Sequence, residues 1–313
     1  MMQRYQKLTN DFGPLRFIGQ LEVEYTDGST QTFATDDSWK YTENTPYTFC
    51  SWYGGEDYDA NRATQESLQA DIDSWRNAVL CTDTIGKLKA QYYQPTDVVE
   101  TWHPVSIKTM SDGDYLIDFG QNFAGQYEFT LKGTKGQTIQ LWPAELLNAQ
   151  GSIDQFQIGS PVYDQYTFSG ETDGETWGPT LVYHGFRYLL VKGLDKAPSV
   201  NQFIAKRIRL GVKQTGSFSC SNNLLNDIHT LIVRSIASNL YNSLTDCPHR
   251  EKLGWLEVPQ LLYNSLVFNF DLAAWMPKVA MDTRDSQHDN GYVCNVAPGL
   301  FQLNDFWGND PSW

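Results

Sequence analysis

The hydrophobic period of this chain changes at about residue 220, and that change limits what it can fold into. Before it, apolar and polar residues alternate. They do so from Phe17 to Tyr25, from Thr30 to Phe33 after an Asp27-Gly28 turn, and from Ile204 to Val212 with Lys206, Arg207 and Arg209 interleaved. After it, Leu224, Leu225, Ile228, Leu231, Ile232, Ile236 and Leu240 recur at helical spacing behind Ser221, which reads as an N-cap. A further helix is expected through Leu261, Leu262, Leu266 and Phe268 to Phe270. Asp271 then caps another, with Leu272, Trp275, Met276 and Val279 inward and a kink at Pro277. The sequence therefore predicts a multidomain β plus α protein: two β-sandwich-type domains at 1–95 and 96–198, a connecting strand at 199–219, and helices over 220–313.

Composition narrows the function. A chain of 313 residues suits two or three domains. A net charge of -14 argues against a nucleic-acid partner. No apolar run is long enough to span a membrane. Cys50, Cys81, Cys220, Cys247 and Cys294 are scattered with no Cys-x-x-Cys, against a disulfide framework or a structural zinc. Met1 to Lys7 has no apolar core of a signal peptide, but the start is abrupt, and a missing N-terminal piece would leave the compartment open. Glu56, Asp57 and Asp59 beside two glycines lack the spacing of a calcium loop and read as a tight structural loop, with lining of a sugar cleft as the lesser alternative. No metal or cofactor is expected. His184, among aromatics at a strand turn, reads as structural.

Chemistry concentrates between Leu244 and Glu257. Asp246, Arg250, Glu251, Trp255 and Glu257 put three carboxylates, a guanidinium and an indole within a dozen residues. Pro248 after Thr245 and Asp246 reads as a helix start. If the segment is helical, Asp246 shares a face with Arg250, and Glu251 with Trp255. One carboxyl beside an indole favours a neutral acid, and the other beside a guanidinium a permanent anion. A sugar site wants such a set. By spacing alone, however, a solvated helix with a core tryptophan accounts for the pattern better.

Several stretches resemble the bacterial α-L-rhamnosidases of glycoside hydrolase family 78. Asp246-Cys-Pro-His-Arg-Glu-Lys-Leu-Gly-Trp255 is similar to the family's Asp-Cys-Pro-x-Arg-x-Glu-x-Leu-Gly-Trp, with one residue fewer between the Arg and the Leu. The segments from Ser51 to Ala60, from Asp114 to Tyr127, and Tyr183-His-Gly-Phe-Arg-Tyr188 resemble others. The resemblance implies that the helices from 220 open an (α/α)6 barrel of which this sequence carries only the first part. It implies that Glu251 is the general acid, its pKa lifted by burial and nearby anions. Asp246, Arg250, Trp255 and Glu257 would bind the sugar, joined by Trp313, with Trp307 a second match. The activity implied is release of terminal α-L-rhamnose with inversion, from a rhamnose-containing glycoside or polysaccharide. Inversion needs a second carboxylate as base. No stretch matches it, so the base is expected beyond residue 313, and the chain alone is expected to be inactive. Asp282, Asp285, Asp289, Asp305 and Asp310 read as solvated charges. The competing expectation is a non-catalytic carbohydrate-binding or accessory protein. A third is another hydrolase on the same barrel, acting on uronic-acid ends, which the Asp-Cys-Pro-x-Arg stretch disfavours.

Overall fold

A computed structural model describes residues 3–8, 13–62, 72–82 and 87–299. Trp307, Trp313, Asp305 and Asp310 lie outside the described residues. Strands β1 (Gln20–Glu24), β2 (Thr30–Ala34), β3 (Lys40–Tyr41), β4 (Tyr47–Ser51), β5 (Gly55–Asp59) and β6 (Arg76–Asn77) occupy the front of the chain. There follow β7 (Thr96–Trp102), β8 (Ser106–Thr109), β9 (Tyr115–Leu131), β10 (Thr138–Ala144), β11 (Leu146–Leu147) and β12 (Ile153–Asp154). The last four are β13 (Asp164–Thr167), β14 (Glu175–Trp177), β15 (His184–Lys192) and β16 (Phe203–Leu210). As the Asp27-Gly28 pair predicts, β1 and β2 form an antiparallel hairpin, with Gly28 at φ +80° where a side chain would strain the turn.

One ten-stranded sheet dominates, in the order β4-β5-β13-β10-β15-β9-β16-β7, with β8 and β14 also on β9. The 17-residue β9 organises it. Its first residues pair with β8 and the far half of β15, and its last with β16 and β14. A strand of that length twists, and the sheet curls with it to enclose its own core. Phe119, Phe123, Tyr127 and Phe129 of β9 alternate inward and meet Phe186, Leu189, Val191, Phe203 and Ala205. Phe123 and Phe186 rings lie 4.4 Å apart. The sheet takes strands from both sides of residue 95, because β5 runs parallel to β13, and it takes β16 from beyond residue 198.

Asp164 explains that join. Its fully buried carboxylate accepts hydrogen bonds from Tyr127 Oη at 2.6 Å and the Glu56 N–H at 2.8 Å, and lies 2.8 Å from His184 Nε2. The buried Glu56 carboxylate in turn accepts the N–H groups of Thr180 and Leu181. Glu56 and His184 therefore hold the curl together.

Beyond the sheet come α1 (Asn223–Asn239), α2 (Glu257–Leu261), α3 (Tyr263–Asn269) and α4 (Trp275–Asp285). The cap of α1 is Asn222, not Ser221: its side chain accepts the Leu224 N–H at 3.0 Å. Only the C-terminal end of the predicted stripe is covered. Ile236 and Leu240 are buried against Leu210, Leu266, Phe270 and Trp275, whereas Leu224, Leu225, Ile228, Leu231 and Ile232 are exposed. The helix expected over 261–270 is two short ones. Pro277 falls in the first turn of α4, where its missing N–H breaks no bond, so no kink is needed there.

Candidate active site

The Asp246–Trp255 stretch is a pinned loop, not the helix its Pro248 and Asp246 suggest. Four features explain why. The Asp246 N–H donates to Leu253 O at 3.1 Å, and the Leu253 N–H returns to Asp246 Oδ1 at 3.2 Å, closing the loop on itself. Lys252 takes φ +51°, which ends any right-handed turn. Past it, Leu256 N–H donates to Asn295 O and Ala297 N–H to Gly254 O, so Trp255 is bridged to Val296. Beneath it, Pro248 and His249 lie on β15 at Gly185, where an added Cβ would come within 2.5 Å of Pro248 Cγ.

Lys252 is the anchor. Its ammonium is buried and donates to Trp52 O at 2.8 Å and Tyr183 O at 2.7 Å. The Tyr183 ring lies 4.2 Å away and the Trp52 ring 5.0 Å. Burial drives its pKa down from 10.5 to about 7, against the pull of Asp164. The carboxylates of Asp164 and Asp246, the thiol of Cys247 and the phenols of Tyr53 and Tyr183 are the other titratable groups around this anchor.

Above the anchor, Glu251 Oε2 accepts the Trp255 indole N–H at 3.0 Å and lies 3.5 Å from Lys7 Nζ. Glu251 is half-buried, not turned out into solvent. The Asp246 carboxyl is pushed above its ordinary value by burial and then by the Glu251 charge, partly offset by the Leu253 N–H. Arg250 is exposed: its carbonyl accepts from Tyr5 Oη at 3.0 Å, and among the described residues no ion pair joins it to Asp246. Tyr53 Oη donates to the Glu251 carbonyl at 2.6 Å. Glu257 opens α2, half-buried, and among the described residues no hydrogen bond or ion pair links its carboxylate to the other site residues. Trp313 lies outside the described residues. The structure thus brings Glu251, Trp255 and Asp246 together. Of the other acids, Asp282 pairs with Lys278 and Asp285 with Arg284.

Lys7, Tyr5, Tyr53 and Lys252 were missed by the motif, and so was Glu145. Glu145 Oε2 lies 2.8 Å from His249 Nε2, and Asn122 donates to Oε1 of the same carboxylate. Burial raises the Glu145 carboxyl, but the bonds from His249 and Asn122 win and lower it. Burial likewise pulls His249 down while Cys247 and Glu145 carry it up to about 9. A second ring proton would nevertheless displace the Arg250 N–H that Nδ1 accepts at 2.7 Å. Nε2 is therefore the ring nitrogen that donates to Glu145.

Three profiles and several known proteins match this chain. The profile of the bacterial alpha-L-rhamnosidase 6 hairpin glycosidase domain matches residues 213–313. That of the bacterial alpha-L-rhamnosidase concanavalin-like domain matches 108–209, and that of the alpha-L-rhamnosidase N-terminal domain 1–100. An alpha-L-rhamnosidase of Formosa agariphila is 31% identical over 87% of this chain, which covers 29% of that relative. The solved structure of alpha-L-rhamnosidase from Dictyoglumus thermophilum overlays with a TM-score of 0.88 at 34% identity, over 95% of this chain and 34% of its own. The Streptomyces avermitilis alpha-L-rhamnosidase complexed with L-rhamnose overlays with a TM-score of 0.86 at 28% identity, over 93% of this chain and 28% of its own. The chain thus spans about a third of the length of these relatives. Three profiles in tandem along nearly the whole sequence, and two such structures matched along more than nine-tenths of it, lead to one conclusion: the chain belongs to the bacterial α-L-rhamnosidase family.

Proposed function

We propose that this chain carries the acid half of a glycoside hydrolase that releases terminal α-L-rhamnose with inversion. The observation that supports it most is the pinned Glu251, with one oxygen on the Trp255 indole and Asp246 in the same closed loop. Glu251 would protonate the glycosidic oxygen as the bond to the sugar breaks. The Trp255 ring offers an apolar face to the sugar and its N–H fixes the carboxyl's rotamer. Asp246, Arg250 and Glu257 supply charged groups for ring hydroxyls, and Trp313 a second aromatic face. The base that activates water on the opposite side of the ring must stand roughly 6.5–9.5 Å from the acid. We assign it to a residue beyond 313, on a later loop of an (α/α)6 barrel opened by α1 to α4. The relative bound to L-rhamnose supports the same sugar here.

The test has two parts. L-rhamnose should bind the 313-residue chain in a calorimeter. A polypeptide of the relatives' length containing this chain should release nitrophenol from nitrophenyl α-L-rhamnoside, and Glu251→Gln should cut its kcat by at least about 100-fold. Unchanged turnover in that variant would remove Glu251 from the acid role. Binding with no turnover even in the long form would favour a carbohydrate-binding protein.

A further inference from the structure

Apart from the signature loop, a cleft of about 400 Å³ opens where β7 and β16 meet α1. It shares no lining residue with that loop. Its charge is unusual for a protein of net charge -14, because Arg207, Arg209 and Arg234 all line it and Glu100 is the one carboxylate among its lining residues.

The arginines are there because of how β16 is built. Phe203 and Ala205 face the core, and the register with β7 slips between Arg207 and Ile208. Past that irregularity the strand leaves the aromatic core and passes under α1, so its cationic side chains fill the space between sheet and helix. Arg207 pairs with Glu100 and stacks on Trp102, its centre 5.3 Å from the ring. Arg209 stacks on Phe270 at 5.3 Å and donates to the carbonyls of Leu210 and Val212. Among the described residues, neither Arg209 nor the exposed Arg234 has a carboxylate within ion-pair distance. Asp97, across the ladder from Arg209, turns its carboxylate to the Val98 N–H. Half-buried like charges cost free energy that a bound anion would relieve. Burial, and then the neighbouring guanidinium, holds Arg209 below its ordinary value. Burial does the same to Arg207, with Arg234 adding and Glu100 opposing. His229, whose Nε2 lies 3.0 Å from Asn269 Oδ1, lines the cleft with Gln214 and Thr230.

We propose that this cleft is a second saccharide site, selective for a sugar bearing a carboxylate. The guanidinium forks of Arg209 and Arg234 take the carboxylate. Gln214 and Thr230 offer uncharged partners for hydroxyls, and Val99 and Val233 form an apolar wall for the sugar's C–H face. The site does not depend on Glu251, and it places acidic sugar residues of a longer substrate against the junction of sheet and helices.

Calorimetric titration of the 313-residue chain with glucuronate tests this, with glucose and inorganic sulfate as comparators. Glucuronate should bind, more weakly as salt rises, and glucose should not. Arg209→Gln and Arg234→Gln should each weaken glucuronate about tenfold while leaving L-rhamnose affinity unchanged. Glu251→Gln should leave glucuronate affinity unchanged, which separates this site from the acid loop. Arg234 is exposed, so its variant decides the matter if Arg209→Gln does not fold. No glucuronate binding, or binding unaltered in Arg234→Gln, overturns the proposal. Sulfate binding as tightly as glucuronate overturns its saccharide part.

Discussion

At the scale of single residues, the loop carrying Glu251 depends on a buried lysine that no motif announces. The ordinary pKa of a lysine lies near 10.5, and burial takes Lys252 to about 7. Between those values the unfolded chain holds a proton that the folded chain has given up. Stability should therefore climb with pH across that window by this group's contribution. Lys252→Met lacks the titration and leaves the Trp52 and Tyr183 carbonyls without their donor, a loss of about 2 kcal/mol. Urea midpoints of the two proteins should thus move apart from pH 7 to pH 9. A gap that stays constant instead would show that the ammonium keeps its proton when folded. Asp246 behaves in the opposite sense. Its carboxyl is raised by burial and by Glu251, so the ionised form costs stability at neutral pH and the cost vanishes as acid protonates it. Asp246→Asn, which retains an acceptor for the Leu253 N–H, should melt at or above wild type at pH 7 yet bind L-rhamnose more weakly. A melting temperature well below wild type at that pH would refute the repulsion.

At the scale of elements, the loop rests on β15 and on the segment after β10. Gly185→Ala would drive a methyl into Pro248 and His249. We expect about 1–3 kcal/mol lost in chemical unfolding and L-rhamnose affinity lost with it, because the loop must lift. An unchanged affinity would mean that the loop's seating on the sheet is incidental. A double-mutant cycle of His249→Ala and Glu145→Gln should give a coupling of about 1.5–3 kcal/mol, and independence would dissolve the link. How far the sequence foretold this varies by interaction. The Glu251–Trp255 pair was legible as a four-residue spacing, although a loop and not a helix realises it. The hairpin at Gly28 and the strand read from Ile204 onward, which is β16, were legible because they are local. Lys252 was not, since its partners are backbone carbonyls 200 and 69 positions away. Nor was His249 with Glu145, 104 positions apart. Spacing reads contacts along an element, and the site is made between elements.

At the scale of the whole molecule, the period change at 220 placed sheet and helices on either side of the right line. It could not say that β4 and β5 would join a sheet built mainly by later strands, through the β5–β13 ladder and the buried carboxylates of Asp164 and Glu56. Nor could periodicity tell which part of the α1 stripe would find a partner. Leu224 and Leu231 each remain 65% exposed. Leu224→Lys with Leu231→Lys should therefore change stability by less than about 0.5 kcal/mol while reducing binding of a hydrophobic dye, and a large loss of stability would place both side chains in a core. The loop carrying Glu251 is held from beneath by Trp52, and from the side by Tyr5, Lys7 and Tyr53. A protein engineer who trims such a chain down to its helices, hoping for a minimal catalyst, would discard the braces of the proposed proton donor along with the β-strands.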